Sequence, residues 1–115
     1  MPMRQRVIEE LAALFAALSH PTRLRILTML RERDHEPSEL AARLGVAPSA
    51  VSQHLALLRA QHLVTSLREG THLHYRLRDR RIGDVVDRGL DLLANDVAEA
   101  REVGKAIRLV RRGRV

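Results

Sequence analysis

The chain has 115 residues, no cysteine, and a net charge of +6 from 20 basic and 14 acidic side chains. This length suits one domain, and the lack of cysteine excludes disulfides, thiolate metal sites and cysteine nucleophiles. The sequence contains no run of 18 apolar residues and no signal peptide, so we expect a cytoplasmic protein without membrane contact. The positive charge favours a polyanionic partner. A single Phe and a single Tyr disfavour base stacking, so duplex DNA is preferred to single-stranded RNA.

The first half of the chain has the periodicity of four helices. Helical spacing of apolar residues predicts a first helix over 7–18 and a second in "SHPTRLRILTML", with Ser19 as its N-cap. After the polar link "RERDHE", Pro37 begins a short third helix, which Gly45 ends. Pro48 begins a fourth helix almost at once. Two short helices around a tight turn with a glycine are typical of a helix-turn-helix.

The second half begins with a change of period from 3.6 to 2 in "LVTSLREGTHLHYRL", which predicts a β-hairpin that turns at Gly70. From Asp79, a predicted N-cap, helical spacing returns and continues through Ile107. This pattern predicts one final helix over 80–112. A small core cannot cover so long an apolar stripe, so we expect the first and last helices to form a dimer interface.

The order of elements predicts a mainly α fold with a small β-hairpin, a winged helix-turn-helix that forms a single domain over 1–115. In such a fold the fourth helix enters the major groove with its N-terminal residues against the base edges. The outward residues there are neutral and hydrogen-bonding: Ser49, Ser52, Gln53 and His54. Gln53 can pair bidentately with adenine, and the others can reach a base or a phosphate. In the alternative interpretation, Ser49 is only a first-turn residue and His54 only packs.

The hairpin would form the wing. Arg68 and Arg76 flank the turn at Gly70 in sequence, so both are predicted to meet a phosphate or the minor groove. Alternation places Leu73, Tyr75 and Leu77 on one face of the second strand, and His72, His74 and Arg76 on the other.

Three segments together resemble the ArsR/SmtB family of bacterial winged-helix repressors over roughly residues 8–80: "ALSHPTRLRILTML", "ELAARLGVAPSAVSQHLALLRAQHLV" and "REGTHLHYRL". The resemblance implies a homodimer on a palindromic operator, released or tightened by an inducer that is commonly a metal ion. It places the base-contacting positions at Ser49, Ser52 and Gln53. One departure is Ala47, which stands where the family often has a serine N-cap.

The resemblance does not carry over a metal site. The thiolate site of the family needs cysteines on the third helix, where this chain reads "DHEPSELA". The other site of the family falls on Asp79, Arg81, Leu92 and Asn95, which keep a single ligand.

Two other groups could bind a divalent ion. His72 and His74 lie two apart on one strand face and could share Ni²⁺, Co²⁺ or Zn²⁺ with a carboxylate from elsewhere, although wing histidines more often face solvent or phosphate. The acidic face of the last helix, Asp84, Asp87 and Asp91, could supply oxygen ligands, but an ion pair between Asp84 and Arg88 is the simpler interpretation. His20, His35 and His62 are isolated in sequence and have no assigned role.

An enzyme is the competing class. The sequence shows no nucleophile elbow, P-loop or dinucleotide fingerprint, so none is expected. A closer alternative is a DNA-binding subunit that senses nothing itself and receives its signal from a partner protein on the last helix.

Overall fold

The computed structural model describes residues 2–94 and 100–113. Over these ranges the element order is α1 (Met3–Leu18), α2 (Pro21–Glu32), α3 (Pro37–Leu44), α4 (Pro48–Ala60), β1 (Val64–Glu69), β2 (His72–Leu77), α5 (Arg80–Ala94) and α6 (Ala100–Arg111). The strands form one antiparallel two-stranded sheet. The architecture is the predicted winged helix-turn-helix, with one helix more than expected. No helix within the described ranges is both long and apolar enough to cross a membrane.

Helix α2 lies at the centre of the core. Five consecutive residues on it, 26–30, are buried, and the helix contacts five other elements besides α1. Such a run is typical of a helix that is packed on several sides. The core also contains residues of α1, α3, α4, β1 and the link before β1: Ala17, Leu18, Leu40, Ala41, Val51, Leu55, Leu58, Leu63 and Val64.

In the helix-turn-helix, a glycine ends the first helix and a proline begins the second, as the sequence predicted. Gly45 has φ of 65°, the left-handed conformation that ends a helix, and its N–H donates to the carbonyl of Ala41. Helix α4 begins at Pro48, with Ala47 at the N-cap position and no side-chain cap. Proline suits this position because the first helical N–H has no partner within the helix. The predicted start of α4 is therefore confirmed.

The hairpin has the predicted turn and faces. Glu69 pairs with His72, so Gly70 and Thr71 form a two-residue loop, and Gly70 has φ of 62°. Tyr75 and Leu77 pack against the core, while His72 and Arg76 reach acidic side chains of the α2–α3 link. We call this hairpin the wing.

The prediction of a single long helix over 80–112 is wrong. Helix α5 ends at Ala94, and α6 begins at Ala100 and folds back on α5 and α2. Arg111 of α6 makes ion pairs with Asp87, at 2.5 Å, and with Asp91, both on α5. The apolar residues of α6 continue the helical spacing of α5, so the period alone could not reveal the reversal. Asn95 and Val97 lie outside the described residues.

The predicted cap of α2 is also corrected. Ser19 occupies the C-terminal end of α1, and His20 is the N-cap of α2. The Nδ1 of His20 accepts a hydrogen bond from the backbone N–H of Thr22 at 3.1 Å. The imidazole nitrogen thus accepts the capping hydrogen bond that a serine oxygen accepts at other N-caps.

Candidate nucleic-acid interface

Helix α4 presents its first two turns to solvent. Val51, Leu55 and Leu58 are buried and fasten the helix to the core. Ser49, Ser52 and Gln53, which the sequence predicted as base contacts, are exposed. The inward and outward residues follow opposite sides of one helical period, so the buried set fixes the direction in which the polar set points.

His54 lies at the edge of this polar surface and is partly buried. Its Nδ1 lies 3.4 Å from Arg23 Nη1, and its ring centroid is 4.5 Å from that of His20. Burial lowers the pKa of His54, and the neighbouring His20 and Arg23 lower it further. The side chain therefore packs against Arg23 and His20 from the edge of the polar surface of α4, and its lowered pKa favours the neutral imidazole.

Arg23 connects α1 to α4. Its Nε donates to the carbonyl of Ala17 at 2.5 Å, and its Nη2 donates to the carbonyl of Ala16 at 3.3 Å. Both carbonyls belong to the last turn of α1, and the carbonyl of Ala16 also accepts from the backbone N–H of Ser19. The same guanidinium faces His54. Sequence reasoning missed Arg23, because its partners are distant in sequence.

The two wing arginines lie at different depths. Arg68 is exposed and pairs with Leu73, one residue pair before the last pair of the hairpin. Arg76 pairs with Thr65, near the base of the wing, and its guanidinium donates to Asp34 Oδ2 at 2.8 and 3.2 Å. Although both arginines flank the turn in sequence, Arg76 thus lies near the base of the wing and anchors it to the α2–α3 link.

The two wing histidines lie close together but have no third ligand among the residues that the structure describes. Their ring centroids are 6.3 Å apart. His72 Nδ1 lies 2.6 Å from Glu36 Oε1, so this carboxylate engages His72 directly. Among residues 2–94 and 100–113, no group of three or more His, Asp or Glu side chains is arranged to hold a metal ion. The described residues thus do not fit a three-ligand centre.

Among the positions that match the family's second metal site, Asp79 and Arg81 at the start of α5 pair with each other. The backbone and side chain of Arg81 donate to Asp79, and the side-chain bonds chiefly lower the pKa of Asp79 to about 2. Leu92 is 75% exposed. Asn95 lies outside the described residues.

The acidic face of α5 is held mainly by α6. Arg111 donates to Asp87 and Asp91, and its hydrogen bond chiefly lowers the pKa of Asp91. Arg88 pairs with Asp91 at 3.2 Å, not with Asp84 as the sequence suggested. This acidic face therefore serves to dock α6.

Comparisons with known proteins agree with this geometry. The family model described as bacterial regulatory protein, arsR family, matches residues 20–66. The HTH-type transcriptional regulator CmtR of Mycobacterium bovis is 39% identical over 105 residues, which cover 86% of this chain and 89% of CmtR. The HTH-type transcriptional repressor SmtB of Mycobacterium tuberculosis is 35% identical over 94 residues, 82% of this chain and 67% of that protein.

Among solved structures, one similar fold is the homodimeric winged helix-turn-helix DNA-binding domain of Mb0332 from Mycobacterium bovis. The match has a TM-score of 0.78 at 21% identity and covers 86% of this chain and 92% of that domain. This match shows that the fold of the chain is a winged helix-turn-helix. The chain belongs to the ArsR family of bacterial DNA-binding transcriptional regulators.

Proposed function

We propose that this regulator binds a specific operator as a two-fold dimer, with α4 in the major groove and the wing beside it. The observation that carries the proposal is the exposed polar start of α4. Ser49, Ser52 and Gln53 project from a helix that buried Val51 and Leu55 hold rigidly to the core. A rigid helix can place hydrogen-bonding groups accurately against base edges.

The chemistry of these side chains suits base reading. Gln53 offers one acceptor and two donors, the set that pairs bidentately with adenine N6 and N7. Ser49 and Ser52 can donate or accept, and can therefore contact either a base or a phosphate. His54 reaches the same surface from the second turn. Neutral side chains are not drawn to the phosphates as arginine would be, so their contacts depend on sequence.

The wing supplies a contact that is independent of sequence. Arg68 is exposed near the turn at Gly70, and its charge suits a phosphate of the flanking groove. Arg76 supports this contact from the base, because its pairing with Asp34 fixes the wing against the helix-turn-helix.

The subunit exposes apolar surface that a dimer would cover. Large apolar side chains on α1, α2, α5 and α6 are more than a third exposed and surround a groove of about 810 Å³. Phe15, Leu24, Val85, Leu93 and Leu109 line the groove, and the exposed residues Val7, Ile8 and Leu11 extend the apolar face along α1. A continuous apolar surface of this kind marks an interface, and a second copy of the chain would cover it.

A two-fold dimer presents two copies of α4. We therefore expect the operator to be an inverted repeat whose half-sites lie in successive major grooves, about 34–36 Å apart. Selection of binding sequences from a random duplex library tests this directly. Enrichment of an inverted repeat with that spacing supports the proposal. Enrichment of a single half-site, or of no sequence at all, contradicts it.

Light scattering of the protein at micromolar concentration tests the dimer, which should have twice the 13.0 kDa mass of the chain. Leu11→Glu places a charge within the apolar surface and should give a monomer. Leu57→Glu is the matched control, because Leu57 is similarly exposed, 52% against 47%, but lies on α4, away from the groove. A dimeric Leu11→Glu variant would contradict this interface.

A further inference from the structure

Helix α6 carries a row of basic side chains that take no part in the DNA contacts proposed for α4 and the wing. Arg101, Lys105, Arg108 and Arg112 follow one another at spacings of four, three and four residues, and all are exposed. Arg112 directly follows the last residue of α6, and its backbone N–H still donates to the carbonyl of Arg108 at 3.2 Å. At 3.6 residues per turn the four positions therefore lie on one face. We call this row the basic stripe.

The stripe points away from the body of the subunit. Ile107, on the opposite face of α6, is 5% exposed, and Val103 and Val110 beside it are partly buried. The ion pairs of Arg111 with Asp87 and Asp91 fix the rotation of α6 on α5. The direction of the stripe is therefore set by packing and does not depend on a flexible tail.

Little of this charge is neutralised locally. Within residues 2–94 and 100–113, the ion pairs of the stripe are limited to Lys105 with Glu102, at 3.5 Å and largely exposed. Exposed pairs of this kind contribute little energy. The stripe thus retains a strong positive potential over roughly 16 Å of helix.

A polyanion of regular charge spacing fits such a surface. One DNA strand carries a phosphate about every 3.4 Å of duplex axis, so roughly five phosphates match the length of the stripe. An anionic membrane fits less well. A helix that lies on a membrane inserts its apolar face, whereas Ile107 of α6 is buried in its own subunit and Leu109 belongs to the proposed dimer interface.

The C-terminal end of the stripe lies near the base of the wing. A Cβ atom on Gly113 would lie 3.3 Å from Glu32 Cγ, which places the end of α6 against the last turn of α2. Two residues after Glu32, Asp34 binds Arg76 of the wing. The C-terminal end of the stripe therefore lies beside the link that anchors the wing.

We propose that the basic stripe of α6 binds the phosphates of duplex DNA that flanks the operator, beyond the wing. This inference rests on the proposed function, since it needs the dimer to be seated on its operator. It assigns α6 a role in affinity, independent of base sequence, while α4 supplies specificity.

The test compares two duplexes that carry the operator obtained by selection. One duplex ends at the outer edges of the half-sites, and the other extends by about one helical turn of arbitrary sequence on each side. Binding is measured by fluorescence anisotropy over a range of salt concentrations. The wild-type protein should bind the longer duplex roughly tenfold or more tightly, with a steeper salt dependence.

The stripe variant carries Arg108→Gln and Arg112→Gln. It should lose the advantage of the longer duplex, with the salt slope there reduced by about two units per subunit, and should bind the short duplex normally. The control variant carries Arg4→Gln and Arg88→Gln, exposed arginines on α1 and α5 whose loss removes the same charge. It should retain the full difference between the duplexes.

Three outcomes would overturn the inference: equal wild-type binding to both duplexes, a stripe variant that keeps the advantage, or a stripe variant weakened equally on both. The comparison of the two duplexes uses the wild-type protein, so its result does not depend on whether a variant folds. Failure to select any operator would instead refute the proposed function, and the two failures are thus distinguishable.

Discussion

His35 and Tyr75 are joined by two backbone hydrogen bonds, His35 N–H to the Tyr75 carbonyl at 3.1 Å and Tyr75 N–H to the His35 carbonyl at 2.8 Å. The imidazole of His35 is 1% exposed. Its Nε2 lies 3.2 Å from the carbonyl of Met29, and its Nδ1 lies 2.9 Å from Glu39 Oε1, outside hydrogen-bond geometry. One residue thus ties the wing to the end of α2 and to α3.

We expect His35→Ala to destabilise the fold by about 2–4 kcal/mol, because it leaves a cavity and removes a buried partner of the Met29 carbonyl. Urea unfolding at neutral pH measures the loss. His72→Ala is the control, since His72 is largely exposed, and should change stability by no more than about 0.5 kcal/mol. Equal stability of the two variants would mean that the buried side chain of His35 does not stabilise the fold.

Glu39 gives the fold a dependence on acid. Hydrogen bonds from Arg33 chiefly lower the pKa of Glu39 to about 2 from its ordinary 4.5. The unfolded chain therefore takes up this proton at a higher pH than the folded chain. The ionised carboxylate of Glu39 therefore adds to the free energy of unfolding. This contribution is present above pH 4.5 and is lost as the pH falls towards 2.

Glu39→Gln should accordingly lower the free energy of unfolding by about 1 kcal/mol at pH 7. The value is modest because the side chain of Arg33 is exposed to solvent. The difference from wild type should shrink between pH 4.5 and 2 in urea titrations at several pH values. A difference that stays constant over this range would show that the carboxylate charge is not the cause.

Gln53→Ala should weaken operator binding by about 1–3 kcal/mol and relax the sequence preference at one position in each half-site. Repeating the selection with the variant protein measures both effects. Equal weakening on operator and random duplexes would identify Gln53 as a backbone contact.

The two wing arginines should behave differently. Arg68→Ala should lower affinity for all duplexes and flatten the salt dependence by about one unit for each subunit, because one phosphate contact is lost. Arg76→Ala should act mainly on stability, since Arg76 is bound to Asp34 at the base of the wing. An unchanged salt slope for Arg68→Ala would place the wing off the DNA.

Metal binding at the wing is tested by titrating Ni²⁺, Co²⁺ and Zn²⁺ into the protein. Two imidazoles without a third ligand among the described residues should bind such ions only weakly. His72→Ala with His74→Ala should abolish this binding and leave DNA affinity without metal unchanged. Equal metal affinity in the double variant would place the ligands elsewhere. If the wild-type protein binds no metal at all, the hypothesis of a separate sensor protein gains support.

The sequence alone predicted the elements that depend on local geometry. Gly45 and Gly70 stand where the backbone takes positive φ, Pro48 stands at the first position of α4, and the alternation in "HLHYRL" separates the two faces of β2. These signals are local because backbone torsion and side-chain direction are set within a few residues. The exposed start of α4 followed from the same period.

The tertiary structure decided the contacts between residues far apart in the chain. Arg23 meets His54 across 31 positions, and Asp87 meets Arg111 across 24. The burial of His35, the place of Arg76 at the wing base and the return of α6 onto α5 depend on such contacts. Periodicity records only which residues share a face of one element, and the partner of that face is chosen by packing across the whole fold.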